Sequence, residues 1–198
     1  MTALTLSTAG AATLRADALV IGVAKSGKTL VVAPGAEAVD KAFDGRLAAV
    51  LETLGASGAE GEATKLPAPA GLKAPVVLAV GLGSAPEDGE SYAAETLRRA
   101  AGVAARTLTG AKKAAFALPI EEAEDAAAIA EGALLGAYAF TQYQETGKDA
   151  KKPLGEVALL GAKPRDKAHK AAAERAQAVA AEINRARDLI NMPPNDLT

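Results

Sequence analysis

Eight residues near the amino terminus, Gly22-Val23-Ala24-Lys25-Ser26-Gly27-Lys28-Thr29, match the phosphate-loop pattern G-x-x-x-x-G-K-[ST] and follow an apolar run that reads as a strand. A working phosphate loop needs a helix beginning at its Lys-Thr end, so that backbone amides and the helix dipole face the phosphates. Here Thr29 leads instead into Leu30-Val31-Val32-Ala33-Pro34-Gly35, which reads as a second strand and a turn. No later strand ends in the acidic residue that would help hold magnesium. The context predicts a hairpin whose turn is Lys25-Ser26-Gly27-Lys28, with glycine supplying the positive φ. A second glycine pair, Gly81-Leu82-Gly83, follows another strong strand and could bind an anion through its amides. It lacks the third glycine of a dinucleotide fingerprint, and a tight strand-to-loop turn is the competing reading. The alternative function drawn from these pieces is a stand-alone module that binds a nucleotide or an ADP-ribose-type ligand at Gly22–Thr29 or Gly81–Gly83.

Other reactive side chains are sparse. His169, the single histidine, sits among Asp166, Lys167 and Lys170 near a helix start, without evident partners for general-base or metal chemistry, and is expected on the surface. Glu121, Glu122, Glu124 and Asp125 cluster just before a helix, where negative charge favours the helix dipole; they read as a charged first turn rather than a metal site. Cysteine is absent, which removes disulfides, thiolate metal sites and thiol nucleophiles together. No catalytic, cofactor-binding or metal-ligating residue is assigned.

The elements that would position these residues alternate short aliphatic runs with longer helical patterns, which predicts an α/β chain with a helix-covered sheet. Strands are expected at Leu4–Ser7, Ala18–Val23, Leu30–Ala33, Val76–Val80, Ala114–Leu118 and Val157–Leu160. Several are continuously apolar, as central strands buried on both faces are. Val39, Phe43, Leu47, Val50 and Leu54 lie on one stripe and predict a first helix stopped by Gly55. Leu97, Ala101, Ala104 and Leu108 predict a second, with Gly110 near its end, and Ile129, Ala133, Ala137 and Phe140 a third, flanked by Leu134 and Tyr138. Gly55–Gly71 and Gln144–Pro153 are expected to be surface loops, and no repeat of solenoid period is present.

The last helix is long. Asp166 can cap its start, and Ala172, Ala176, Val179, Ile183, Ala186 and Ile190 form a seam before Met192-Pro193-Pro194 ends it. From Lys167 to Asn191 such a helix spans roughly 37 Å, more than a small domain needs to cover its own sheet. It reads as a connecting helix, packed on the domain through its first half and directed at something else through Ile183 and Ile190.

Composition agrees with a soluble globular chain: 198 residues, 49% hydrophobic, 23% charged, and no apolar run of membrane-spanning length. The first positive charge is Arg15, so the start lacks the basic region of a secretory signal, and the cytoplasm is the expected compartment. Aromatics are only 3%, so the core must be built from Ala, Val, Leu and Ile, and stacking platforms for nucleic acid are scarce. A net charge of −2 argues against whole-surface binding of nucleic acid. One local basic stretch, Lys148, Lys151, Lys152, Lys163, Arg165, Lys167 and Lys170 against Asp149, Glu156 and Asp166, reads as a solvated loop and helix face, with a nucleic-acid adaptor as the rival reading.

Three segments carry a family resemblance. Ala186-Arg187-Asp188-Leu189-Ile190-Asn191-Met192-Pro193-Pro194-Asn195-Asp196-Leu197-Thr198 closely resembles the junction before the catalytic domain of leucyl aminopeptidases, the cytosol aminopeptidase family. Ala130-Glu131-Gly132-Ala133-Leu134-Leu135-Gly136-Ala137-Tyr138-Ala139-Phe140 is similar to a helix of that family's first domain, and Ala79-Val80-Gly81-Leu82-Gly83 to its strand-and-turn element. The resemblance implies a three-layer α/β/α, macro-domain-like unit over residues 1–165, then a linker helix and junction over residues 166–198 leading to a C-terminal peptidase domain absent from this chain. It further implies a hexameric exopeptidase that releases amino-terminal residues from peptides with two divalent metal ions, manganese or zinc. The family's catalytic motifs, of the type Asn-Thr-Asp-Ala-Glu-Gly-Arg and a lysine-containing glycine-rich segment, do not occur here. The resemblance thus makes this portion non-catalytic, a part that serves assembly or access, with its own peptidase domain and sister subunits as partners and peptide substrate reached only through that domain.

Overall fold

The computed structural model describes residues 2–87, 90–143, 152–193 and 195. In chain order the elements are β1 (Ala3–Ser7), β2 (Ala18–Ser26), β3 (Thr29–Val32), α1 (Glu37–Ala42), α2 (Leu47–Thr53), β4 (Ala63–Pro67), β5 (Val76–Ser84), α3 (Ala94–Thr107), β6 (Lys113–Ala117), α4 (Ala123–Gly136), β7 (Glu156–Leu160) and α5 (Lys167–Asn191). The strands form one sheet in the order β1-β7-β6-β2-β5-β4, with β3 added to the end of β2. Neighbours from β1 to β5 are parallel, whereas β4 and β3 are antiparallel additions. Central strand β2 aligns Leu19 with Val77 on one side and Ala115 on the other.

Alternate residues of these strands feed two separate cores. On one face Leu19, Ile21, Val77 and Ala79 pack with Val39, Leu47 and Leu51 of α1 and α2. On the other Val20, Leu78, Val80, Phe116 and Leu159 pack with Leu97, Ala101 and Ala104 of α3 and Ile129 and Ala133 of α4. This is the three-layer α/β/α architecture expected from the alternation of elements. Among the described residues no buried side-chain N or O lacks a hydrogen-bond partner.

Small residues let α3 and α4 approach closely. A Cβ at Gly132 would meet the carbonyl oxygen of Arg98, and one at Gly136 the carbonyl oxygen of Gly102. Gly132 and Gly136, one turn apart on α4, therefore set how near the two helices lie. The contact is closed at its edge by Arg98 Nε donating to Glu131 Oε2 at 3.0 Å.

Four expectations are corrected. The single helix over Val39–Leu54 is two helices, broken at Asp44 (φ 56°) and Gly45 (φ 69°); Asp40 of α1 then caps α2 by accepting from the Leu47 amide at 3.1 Å. The segment Gly55–Gly71 holds an edge strand, β4, of which only Leu66 is buried. The third helix ends at Gly136, before Phe140. Gly81-Leu82-Gly83 is no strand-to-loop turn but the continuation of β5 to Ser84.

α5 begins and ends where its pattern predicts, with the Asp166 carboxylate accepting from the His169 amide. It packs on α4 and the edge of the sheet beside β1. Its buried line is His169, Ala173, Ala176 and Ala180, not the full seam anticipated. Of that seam only Ala176 is buried; Val179 is 37%, Ile183 41% and Ile190 80% exposed.

Candidate functional site

The phosphate-loop candidate is a hairpin. Val23 pairs with Val32, Lys25 with Leu30 and Ser26 with Thr29, which leaves Gly27 and Lys28 as a two-residue turn. Gly27 has φ 60°, the positive value that a turn of this kind needs at its first central residue. Strand β3 stands where a phosphate loop places its helix, and its Leu30 amide donates to Glu52 Oε1 at 3.0 Å. Lys25 and Lys28 are both exposed.

The second glycine pair is also occupied by backbone. The Gly81 amide donates to the Glu62 carbonyl at 2.9 Å and the Gly83 amide to the Gly58 carbonyl at 2.8 Å. A Cβ on Gly81 would strike the Ala59 carbonyl, so the loop of residues 57–62 lies directly on this strand. The Glu62 carboxylate draws that loop together, accepting from the Ser57 amide (2.9 Å), the Ser57 hydroxyl (3.0 Å) and the Ala59 amide (3.2 Å). Desolvation pushes its carboxyl up, but these hydrogen bonds outweigh it and hold Glu62 below the ordinary carboxylate range.

His169 is buried, contrary to the surface position expected. Its ring Nδ1 lies 2.9 Å from Asp166 Oδ1, and the same oxygen accepts from the His169 amide. These two contacts, amide first, hold Asp166 below the usual carboxylate range. A helix cap and a core-facing ring account for the residue. The acidic cluster is a cap as well: Asp125 Oδ2 accepts from the amides of Glu121 (2.9 Å) and Glu122 (3.0 Å). Among the described residues no three His, Cys, Asp or Glu side chains stand close enough to hold a metal ion, so these residues do not fit a metal centre.

Of the basic stretch, Lys148, Asp149 and Lys151 lie outside the described residues; Lys152, Lys163, Arg165, Lys167 and Lys170 are exposed. No helix among the described residues is long and apolar enough to cross a membrane.

What stands out is the outer half of α5. Ile183 and Ile190, seven residues apart on one side of the helix, and Leu189 on another, 52% exposed, are large apolar side chains that no element of the described chain covers. Burying one such side chain stabilises a contact by about 1.5 to 3 kcal/mol, so together they can drive an association. The same turns rest on the end of α4 through polar groups, since Arg187 lies between Ile183 and Ile190 at helical spacings of four and three. Arg187 Nη1 donates to the Leu135 carbonyl at 3.0 Å, its guanidinium carbon lies 3.9 Å from the Tyr138 ring centroid, and Tyr138 Oη donates to Asp188 Oδ1 at 2.8 Å. Asn191 Nδ2 adds a bond to Tyr138 Oη at 3.1 Å. Desolvation first, and then Asp188, raise the Tyr138 phenol above its ordinary value despite Asn191 and Arg187. The partners are about 50 residues apart in sequence, so helical periodicity alone offered no sign of them.

These features define a macro-like α/β/α domain whose Gly81–Gly83 segment is covered by its own backbone, whose Gly22–Thr29 motif is a hairpin, and whose α5 leaves large apolar side chains exposed. The chain belongs to the cytosol aminopeptidase family: the family's N-terminal domain matches residues 20–147. It is 72% identical to the "Probable cytosol aminopeptidase" of Streptomyces avermitilis, covering 100% of this chain and 40% of that protein. Its counterpart in Rhodococcus opacus is 42% identical, over 97% of this chain and 37% of its own length. The chain thus spans about two fifths of such relatives. Among solved structures, the bottromycin maturation enzyme BotP is 28% identical with a TM-score of 0.65, over 92% of this chain and 34% of its own. A mutant tomato leucine aminopeptidase shares the fold with a TM-score of 0.75 at 22% identity, over 98% of this chain and 39% of its own.

Proposed function

We propose that residues 1–165 form a non-catalytic domain, and residues 166–198 the linker to a peptidase domain, of a cytoplasmic exopeptidase that releases amino-terminal residues from peptides. The observation that carries this reading is the apolar outer face of α5, with Ile190 80% exposed at the end of a 25-residue helix. Such a face fits a surface completed by the peptidase domain or a neighbouring subunit of a homo-oligomer, a hexamer by family likeness. On this reading the two divalent metal ions, manganese or zinc, belong to the peptidase domain and supply water activation and carbonyl polarisation there. This domain shapes assembly or access.

The test is leucine release from a chromogenic substrate, with manganese or zinc added, by this chain and by the full-length protein. The expected result is activity in the full-length protein alone. Turnover by the highly purified 198-residue chain, with contaminating peptidases excluded, overturns the proposal.

A further inference from the structure

We infer that Tyr138 and Arg187 form a latch that fixes the direction in which the last two turns of α5 leave the domain. α5 is held in two chemically different ways. Its first half is seated by small apolar residues, with Ala173, Ala176 and Ala180 buried. Beyond Ala180 no α5 residue is buried, and Arg187, Asp188 and Asn191 reach Leu135 at the end of α4 and Tyr138 just after it through polar contacts.

The chemistry suits a latch. α4 ends at Gly136, and the Leu135 carbonyl in its final turn accepts only a long bond, 3.5 Å, from the Tyr138 amide; the Arg187 guanidinium adds a shorter one at 3.0 Å while stacking on Tyr138. The Tyr138 hydroxyl joins Asp188 and Asn191, one and four residues beyond Arg187. With Arg187, Asp188 and Asn191 tied to Leu135 and Tyr138, the rotation of these turns is set, and Ile183 and Ile190 beside Arg187 stay exposed. This deepens the connecting-helix reading, since the latch presents the apolar face outward at a set angle; yet it is tested in the chain by itself.

The experiment is amide hydrogen exchange along α5 in the 198-residue chain, comparing wild type with Tyr138→Phe, Arg187→Ala and Arg187→Lys. Loss of one or two net hydrogen bonds from a local opening equilibrium should speed exchange at Ala186–Asn191 about tenfold in Arg187→Ala, and less in Tyr138→Phe, which keeps the ring under the guanidinium. Arg187→Lys should behave like Arg187→Ala, because an ammonium cannot stack and bridge in the same way. Exchange at Ala173–Ala180 should not change, which also shows that the variants fold. Unchanged exchange at Ala186–Asn191 in all three overturns the latch. Exchange that speeds evenly from Lys167 onward also overturns it, since the residues would then hold the whole helix. Either failure leaves the peptidase assay above unaffected.

Discussion

Lys28 shows how much local context decides the chemistry of a residue. Its neighbours spell a phosphate-binding pattern, but the residues after it, Thr29-Leu30-Val31-Val32, form β3, so the side chain ends at an exposed hairpin tip. Lys28→Ala should leave stability within about 0.5 kcal/mol of wild type, and calorimetry should find no saturable ATP binding that the lysine controls. ATP binding abolished by the substitution would restore the phosphate-loop reading. Glu62 is the opposite case, inconspicuous in sequence and tied to three groups of its loop. Its carboxyl is held below the ordinary value of 4.5, so its contribution is present above that value and is lost as pH falls through the lowered one. Glu62→Gln should therefore melt below wild type at neutral pH, with the gap closing as pH drops through the acid range. A gap independent of pH would mean that the ionised carboxylate is not what holds the loop.

At the level of elements, the glycines of α4 make the sharpest prediction. Gly132 sits against the Arg98 carbonyl with no room for a methyl group, so Gly132→Ala should cost about 1 to 3 kcal/mol by forcing α3 and α4 apart. Urea unfolding reads this directly, and a variant as stable as wild type would show that the helices can part freely. All six expected strands are present; β2, β5, β6 and β7 were legible because buried parallel strands must be apolar on both faces. Edge strand β4 was illegible, since Ala63-Thr64-Lys65-Leu66-Pro67 has a single buried residue and a proline, as protected edges do. The break between α1 and α2 had a signal in Asp44-Gly45, overridden by the apolar stripe that runs across it. In α5 the limits were legible from the Asp166 cap and the double proline. Its orientation was not, because alanines occur on nearly every face and only tertiary packing chose Ala173, Ala176 and Ala180.

At the scale of the whole molecule, the sequence motifs that suggested chemistry serve structural contacts. The Gly81–Gly83 strand is covered by the loop of residues 57–62, the Gly22–Thr29 motif is a hairpin, and the carboxylates of Glu62, Asp125 and Asp166 are engaged at a loop closure and two helix starts. The resemblance in residues 130–140 and 186–191 becomes intelligible as geometry: these segments hold the α3–α4 contact and the Tyr138–Arg187 junction. The central claim is that the uncovered face of α5 is an interface of the larger protein. Ile183→Glu combined with Ile190→Glu tests it, since both side chains are exposed and the 198-residue chain should keep its melting temperature. The decisive measurement is leucine release by the full-length protein carrying both changes. Each buried isoleucine is worth about 1.5 to 3 kcal/mol, so turnover is expected to fall at least about tenfold as domain or subunit contacts fail. Wild-type turnover from the double variant would contradict the account.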